Sequence, residues 1–278
     1  MNLETRTFGE AFARLKRAMV QQSKPVLAAT WQGRDVRGRP DMVTHELLNV
    51  TISTPLFGLR SLNHWRAECE PNLPWADDHF EERVGRVPLN PPPSWAWWPW
   101  AGSAAKFGGT TKFNHTYPER YWPKRAHLNH DDIMGIGSCN LAGIQREYGD
   151  LDDVVTLLVK DPLTRQAYLP IFFPEDTGVS DGGRKPCTLG YQFILREGHL
   201  HTVYFMRSCD LIRHFRDDIY LTVRLLLWVL EQCGAQDEAW ADVRAGSLTM
   251  HLTSLHVFAN DLLELRREQD ALLSKALS

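Results

Sequence analysis

The run from Asn90 to Gly102, NPPPSWAWWPWAG, constrains this chain more than any other stretch. Proline lacks a backbone donor and fixes φ, so the run can be neither regular helix nor central strand. Its aromatic side chains, Trp95, Trp97, Trp98 and Trp100, are equally unsuited to a solvated linker. Long irregular segments inside compact domains usually serve a function. The run therefore predicts an ordered, aromatic-lined binding region.

Periodicity is legible on either side of it. Phe8, Phe12, Leu15 and Met19 recur at helical spacing and predict an amphipathic helix over Phe8–Val20. Trp31–Pro40, WQGRDVRGRP, reads as a Gly/Arg loop, and Glu46–Ser53 as a strand stopped by Pro55. Asn63–Arg125 shows little long periodicity and reads as largely irregular. Leu151–Lys160 predicts a helix with Asp152 and Asp153 at its positive end. Gln166–Phe173 predicts a buried strand. Gly190–Leu195 and His199–Met206 predict a hairpin closed by Arg196-Glu197-Gly198. Leu211–Cys233 is the longest predicted helix, with Gly234 as its C-cap. A strand over Gly246–His256 and a helix over Asn260–Leu273 follow. No repeat or linker-like break interrupts the chain, so one α+β domain over residues 1–278 is the simplest organisation.

Composition narrows the function classes. With 43% hydrophobic residues and a formal net charge of −3, the chain is neither disordered nor strongly basic, which argues against a dedicated nucleic-acid binder. Five cysteines, odd in number and without a C-x-x-C pair, suit free thiols in a reducing, cytoplasmic compartment and suggest no metal site. No stretch has the length and apolarity of a membrane span, and the first residues lack a signal-peptide core. Besides an enzyme, one other class stays open: a non-catalytic nucleotide- or RNA-binding module that stacks bases on the tryptophans.

Four short stretches are candidates for chemistry. Cys187 opens a strand behind Arg184 and Lys185, with Arg207 following the next strand, and nearby cations favour the thiolate. Arg207-Ser208-Cys209-Asp210 offers a guanidinium and a hydroxyl, a donor pair suited to phosphate. Asp161-Pro162-Leu163-Thr164-Arg165 reads as a turn carrying an arginine. His256 lies in an apolar strand, where a histidine is more often a core residue than a ligand.

In their order, D-P-x-[ST]-R, a strand, P-C, Y-Q-F, a hairpin, R-S-x-D, a long helix and a late strand with H-x-[YF], these pieces resemble the thymidylate synthase superfamily. The resemblance covers about residues 150–265. Upstream, Phe113-Asn114-His115-Thr116-Tyr117 is similar to the segment carrying an active-site tyrosine. The resemblance implies a thymidylate synthase-like α+β fold: a mixed β-sheet packed with helices, in a sheet-mediated homodimer. It also implies a small-molecule nucleotide substrate and 5,10-methylenetetrahydrofolate as co-substrate, with no metal, nucleic-acid or membrane partner. By position it makes Cys187 the nucleophile that adds to C6 of a pyrimidine. Arg207 and Ser208 would hold the 5′-phosphate, with Arg165 reaching in from the other subunit. Asp210 and Trp98 would face the folate, His256 the sugar, and Tyr117 the reacting carbon. Arg34, with Arg37 and Arg39 beside it, is a candidate for the mobile phosphate-binding arginine. The catalytic carboxylate falls within residues 77–83, with Glu82 first and Asp78 and Glu81 close by.

The departures from the family pattern carry more information than the matches. Where synthases place Asn in a G-x-P-F-N run, this chain has His214-Phe215-Arg216-Asp217-Asp218. An amide complements uracil, donating to O4 and accepting from N3–H. A carboxyl group complements cytosine, accepting from N4 and, when protonated, donating to N3. Asp218 thus points to the family's cytidylate and deoxycytidylate hydroxymethylases, unless it is a surface acid one register away. Gln166 stands in place of a second arginine and Thr188 in place of a histidine. Phe258 replaces a tyrosine whose hydroxyl binds deoxyribose. Ala167, expected to share the face of Arg165, leaves space near the sugar that Lys124 would fill with a donor, which favours CMP over dCMP. A charged C-terminal helix in place of an apolar terminus favours capture of water over hydride, so 5-hydroxymethylation is expected ahead of C5-methylation.

Overall fold

The computed structural model describes residues 1–31, 34–56, 61–102, 112–126, 148–177 and 184–277. Period-two segments build one mixed sheet of β1 (Asn2–Glu4), β2 (Lys24–Val26), β5 (Thr44–Pro55), β6 (Tyr168–Pro170), β7 (Thr188–Arg196), β8 (His199–Met206), β9 (Cys209–Asp210) and β10 (Arg244–Phe258). The order across it is β1-β5-β10-β8-β7-β6, with β2 also pairing β5 and β9 pairing β10. β10 lies antiparallel to β5 and parallel to β8. The β7–β8 hairpin turns at Glu197 and Gly198, both at positive φ (50° and 72°), the geometry of a two-residue turn that matches strand twist. At Gly190 a Cβ would meet the Tyr168 ring and come within 2.7 Å of the Leu169 carbonyl, so only glycine lets β6 lie this close to β7.

Helices accompany the sheet. These are α1 (Phe8–Gln22), α2 (Leu62–Cys69), α3 (Trp75–Val84), α4 (Tyr117–Tyr121), α5 (Leu151–Lys160), α6 (Phe215–Gln236) and α7 (Ala259–Leu277). Thr7 caps α1 by accepting the Glu10 N–H at 3.1 Å. Asp150 and Asp153 form a reciprocal capping box on α5. Among the described residues one apolar core runs from Leu3 to Leu265. Through the middle of β5 and β10 the side chains alternate, with Val50, Ile52, Met250 and Leu252 buried and Thr51, Ser53, Thr249 and His251 half-buried. No helix among the described residues is long and apolar enough to cross a membrane.

Four expectations from the sequence change. Residues 31–40 are more than a loop, since β3 (Thr30–Trp31) and β4 (Arg34–Asp35) pair as a short ribbon. The strand expected over Gln166–Phe173 shrinks to β6, because beyond Pro170 the amides of Ile171 and Phe172 both converge on the Leu189 carbonyl and the ladder ends. Helices α2 and α3 occupy ground that read as irregular; α3 buries His79 and Arg83 beside Trp75, Ala76, Phe80 and Val84, and polar residues on the inner face hide the apolar period. Gly234 lies inside α6, whose C-cap is Asp237, with its N–H on the Cys233 carbonyl.

Candidate active site

The start of β7 and the ends of β8 and β10 bring the expected nucleophile and phosphate residues together. Cys187 is half-buried against the core, and its carbonyl accepts the Arg207 N–H at 2.9 Å. The Arg207 guanidinium braces the turn before the cysteine, donating to the Pro186 and Lys185 carbonyls at 2.7 and 2.9 Å. Ser208 Oγ lies 3.4 Å from His256 Nδ1, and burial lowers the His256 pKa. The four described cysteines are free thiols; Cys139 lies outside the described residues.

Behind Cys187 runs a chain of hydroxyls. Tyr117 Oη is 2.8 Å from Thr188 Oγ1, which is 2.8 Å from Tyr204 Oη. Burial raises both phenol pKa values. Cys187 and Asp218 both act electrostatically on Tyr117. Asp218, in the first turn of α6, accepts a hydrogen bond from Cys209 Sγ at 3.6 Å. Burial pushes its carboxyl up to about 7, against the pull of the Arg83 guanidinium. A carboxyl group at that value is present in both protonation states near neutrality.

Helix α3 holds the three acids among which the carboxylate is expected. Glu82 accepts hydrogen bonds from the Ser94 N–H at 2.6 Å and Ser94 Oγ at 2.5 Å. Burial raises its pKa, but the hydrogen bonds from His79 and Ser94 outweigh this and hold it below the usual range. His79 stacks on Trp75 at 4.9 Å and meets Tyr117 edge-on at 6.4 Å. Burial lowers its pKa to about 4, so it is neutral at neutral pH. The competing acids are engaged elsewhere: Asp78 accepts from Trp97 Nε1 at 3.1 Å, and Glu81 pairs with Arg224 at 2.6 Å. Of the three, Glu82 alone shares a hydrogen-bonded group with His79.

The proline-tryptophan run packs as an aromatic wall. Trp98 stacks on His214 at 5.7 Å and 12°, and Trp95 lies 4.9 Å from Trp98. Trp98 Nε1 is buried without a hydrogen-bond partner. Trp100 Nε1 donates to the Arg213 carbonyl, and Trp97 is the exposed member of the four. Beside them Asp210 accepts the Ile212 and Arg213 N–H groups at 3.0 and 2.9 Å and Arg213 Nη1 at 2.9 Å.

Other expected residues stand apart from this cluster. Lys124 is exposed and donates to Asp153 at 2.6 Å. Arg165 and Ala167 do not share a face: Arg165 is exposed and Ala167 fully buried. The reason is that both precede β6, where strand alternation begins. Arg37 and Arg39 pair with Asp35 and Asp41, while the Arg34 side chain lies outside the described residues. Sequence reading missed His79, Arg83, Ser94 and Tyr204. The i, i+3, i+4 spacing of His79, Glu82 and Arg83 was the available signal for one helical face.

No protein-family model and no curated protein matches this chain. Among solved structures, thermostable thymidylate synthase A from Bacillus subtilis superposes over 95% of this chain and 84% of its own, with a TM-score of 0.61 and 12% identity. The fold is thymidylate synthase-like. The expected mixed sheet packed with helices is therefore present, on a sequence that has diverged far from this neighbour. In this thymidylate synthase-like frame Cys187, Tyr117, Asp218 and Glu82 come from four separate elements, β7, α4, α6 and α3, or from the residue bordering one.

Proposed function

We propose that this protein is a folate-dependent cytosine nucleotide C5-hydroxymethylase, acting on CMP ahead of dCMP. The observation that carries the reading is Asp218: a buried carboxyl group that, like Cys187, acts on Tyr117, held where it can be protonated at neutral pH. Such a group donates to N3 and accepts from N4, a pairing that uracil lacks. Among family branches, the sequence pattern resembles the cytidylate hydroxymethylase of the mildiomycin nucleoside-antibiotic pathway.

The Cys187 thiolate adds to C6, and the electron pair released from the C5–C6 double bond makes C5 nucleophilic. Asp218 stabilises this change by hydrogen bonding at N3 and N4. Tyr117, fixed by Thr188, stands by the reacting edge, and Glu82, fixed by Ser94, orders the water whose oxygen enters the product. Loss of the proton from C5, and finally departure of the Cys187 thiolate from C6, restore the aromatic ring. Arg207 and Ser208 hold the phosphate and His256 the sugar. The balance is nucleotide, water and methylenetetrahydrofolate in, 5-hydroxymethyl nucleotide and tetrahydrofolate out.

The folate supplies a one-carbon unit at the oxidation level of formaldehyde. The residues present fit such a group: the wall of Trp98 and His214 suits a flat heteroaromatic ring, and the orphaned Trp98 Nε1 offers a donor. The Asp210 carboxylate has three of its roughly four acceptor sites filled internally, leaving one. Preference for ribose rests on Phe258, which lacks a hydroxyl and sits between Trp31 and Arg213. The half-buried face of β5 and β10 is the surface for a homodimer in which exposed Arg165 crosses to the partner's phosphate site.

Incubation with CMP, dCMP, UMP and dUMP plus methylenetetrahydrofolate tests the reading. The expected result is a cytosine nucleotide gaining CH2O, with tetrahydrofolate released. A gain of CH2 with dihydrofolate would make the protein a methylase. No turnover, with salt-dependent RNA binding by Cys187→Ala, would replace the enzyme with a binding module.

A further inference from the structure

Arg83 is 4% exposed, and its Nε–H is buried without a hydrogen-bond partner. Among the described residues it makes no ion pair, whereas Arg224, on the other side of α3, pairs with both Asp77 and Glu81. Its guanidinium lies 3.9 Å from the centre of the Tyr117 ring. Tyr121, Tyr191 and Tyr204 complete a set of phenols that act on it electrostatically. A guanidinium stays charged at any ordinary pH, and a buried charge without a counter-ion is costly. Ring faces return part of that cost, but an apolar side chain of similar size would avoid it.

The same cation acts on two of the titratable groups assigned above to the reaction. On Asp218 and on Tyr117 it is the main influence opposing burial. The other groups bearing on Asp218 come from its own helix and from the sheet. Asp217 and Asp210 disfavour its ionised form, the Cys209 hydrogen bond favours it, and Asp218 in turn acts on Tyr204 and Tyr117. Asp217 is itself occupied by the Asn72 backbone and side-chain N–H groups, both at 2.8 Å. Among the described residues Arg83 is the cation that acts most strongly on Asp218.

We propose that Arg83 is the positioning charge of this site: buried, without an ion pair among the described residues and set against the Tyr117 ring, it supports the proton transfers of Tyr117 and Asp218 without touching the nucleotide. The inference rests on the reading of Asp218 as the group that meets the base. Cytosine activation needs a carboxyl that gives a proton toward N3 as sulfur adds to C6 and takes it back as sulfur leaves. Burial and the neighbouring acids favour the protonated form of Asp218, and Arg83 favours the ionised form that the return step requires.

Full-length protein carrying 13C-labelled aspartate carboxyls tests this, with the Asp218 signal identified as the one missing from Asp218→Asn. Arg83→Met keeps the apolar stem and removes the charge, so the Asp218 midpoint rises by about one pH unit. Arg83→Lys keeps the charge and restores most of the native midpoint. An unmoved midpoint in folded Arg83→Met overturns the inference. In the unsubstituted protein the 15N signal of Arg83 Nε follows the Asp218 titration. A signal indifferent to that titration overturns the inference even if neither variant folds. Both readouts need no substrate, so failure of CMP turnover sinks the proposed reaction and leaves this result separate. With active enzyme, the alkaline limb of kcat/KM for CMP moves upward together with the midpoint. A merely structural Arg83 would lower kcat and leave the limb in place.

Discussion

Helix α3 carries charge on two sides, and the two are built on opposite plans. On one side Asp77 accepts from Arg66, Arg224 and the Tyr220 hydroxyl at 2.6, 2.8 and 2.5 Å, and Glu81 pairs with the same Arg224. Every charge there has a counter-charge in contact. On the other side Arg83 makes no ion pair among the described residues and lies against the Tyr117 ring, His79 is neutral, and Glu82 is held by a serine. Paired charges fix α3 against α2 and α6 and are satisfied before any ligand arrives. Charges left without ion pairs keep their field for something else. The contrast separates scaffold from site within one ten-residue helix.

The largest expected effect lies outside α3 and anchors the comparison. Cys187→Ala abolishes turnover while nucleotide binding, carried by phosphate contacts, survives; activity above a few per cent would remove Cys187 from the mechanism. Mixing that variant with inactive Arg165→Ala restores turnover in mixed dimers, because one site then holds both groups. Verified heterodimers without activity would return Arg165 to its own subunit.

On the site side of α3, Glu82→Gln lowers kcat by about a hundredfold or more, the usual range for a group handling protons or water. Its melting temperature changes little, since an amide oxygen still accepts from Ser94. Loss of folding without loss of specific activity would place Glu82 on the scaffold side.

Asp218→Asn shifts kcat/KM from CMP toward UMP by about ten- to a hundredfold, the value of one mispaired buried group at about 1–3 kcal/mol. A ratio within about twofold of native, well short of that effect, would detach Asp218 from base reading. The same substitution changes pH dependence. The folded protein holds a proton on Asp218 that the unfolded chain releases, so native stability falls as pH rises from the ordinary aspartate range through about 7. Urea unfolding of Asp218→Asn lacks that slope.

The smallest effect on catalysis belongs to the paired side. Asp77→Asn costs about 1–3 kcal/mol of stability by weakening its charged hydrogen bonds, with kcat of the folded fraction unchanged. Arg83→Met costs less stability than Arg224→Met, because no ion pair is broken. The reverse order in urea titrations would show that α3 is scaffold on both sides.

The same division explains what was legible in the sequence. Helices α1 and α5, the β7–β8 hairpin and β10 bury apolar residues in a regular pattern, and their periodicity predicted them within a few residues. Helix α3 escaped because its inner side includes His79 and Arg83, two polar residues where a core helix would be apolar. Asp218, Cys187 and Tyr117 were found through family motifs, and Arg83 belongs to none of those. Gly234 misled because a glycine near a helix end resembles a cap; here nothing lies within 4 Å of where its Cβ would be, and the helix runs on. The Trp-rich run packs, as its composition predicts, with rings lying mostly on one another and on His214 and Phe113.

Gly190 has a consequence for genetics. Its missing side chain lets β6 lie against β7, and β6 begins three residues after Arg165. An alanine there would push Tyr168 and the Leu169 carbonyl outward, and the connecting chain would carry Arg165 with them. A screen for alleles with weak phosphate affinity would therefore recover position 190, although that residue never meets a phosphate. In the proposed dimer such an allele would be mistaken for a contact mutant until its subunits were mixed with healthy ones, where the displaced arginine would fail its neighbour's pocket and not its own.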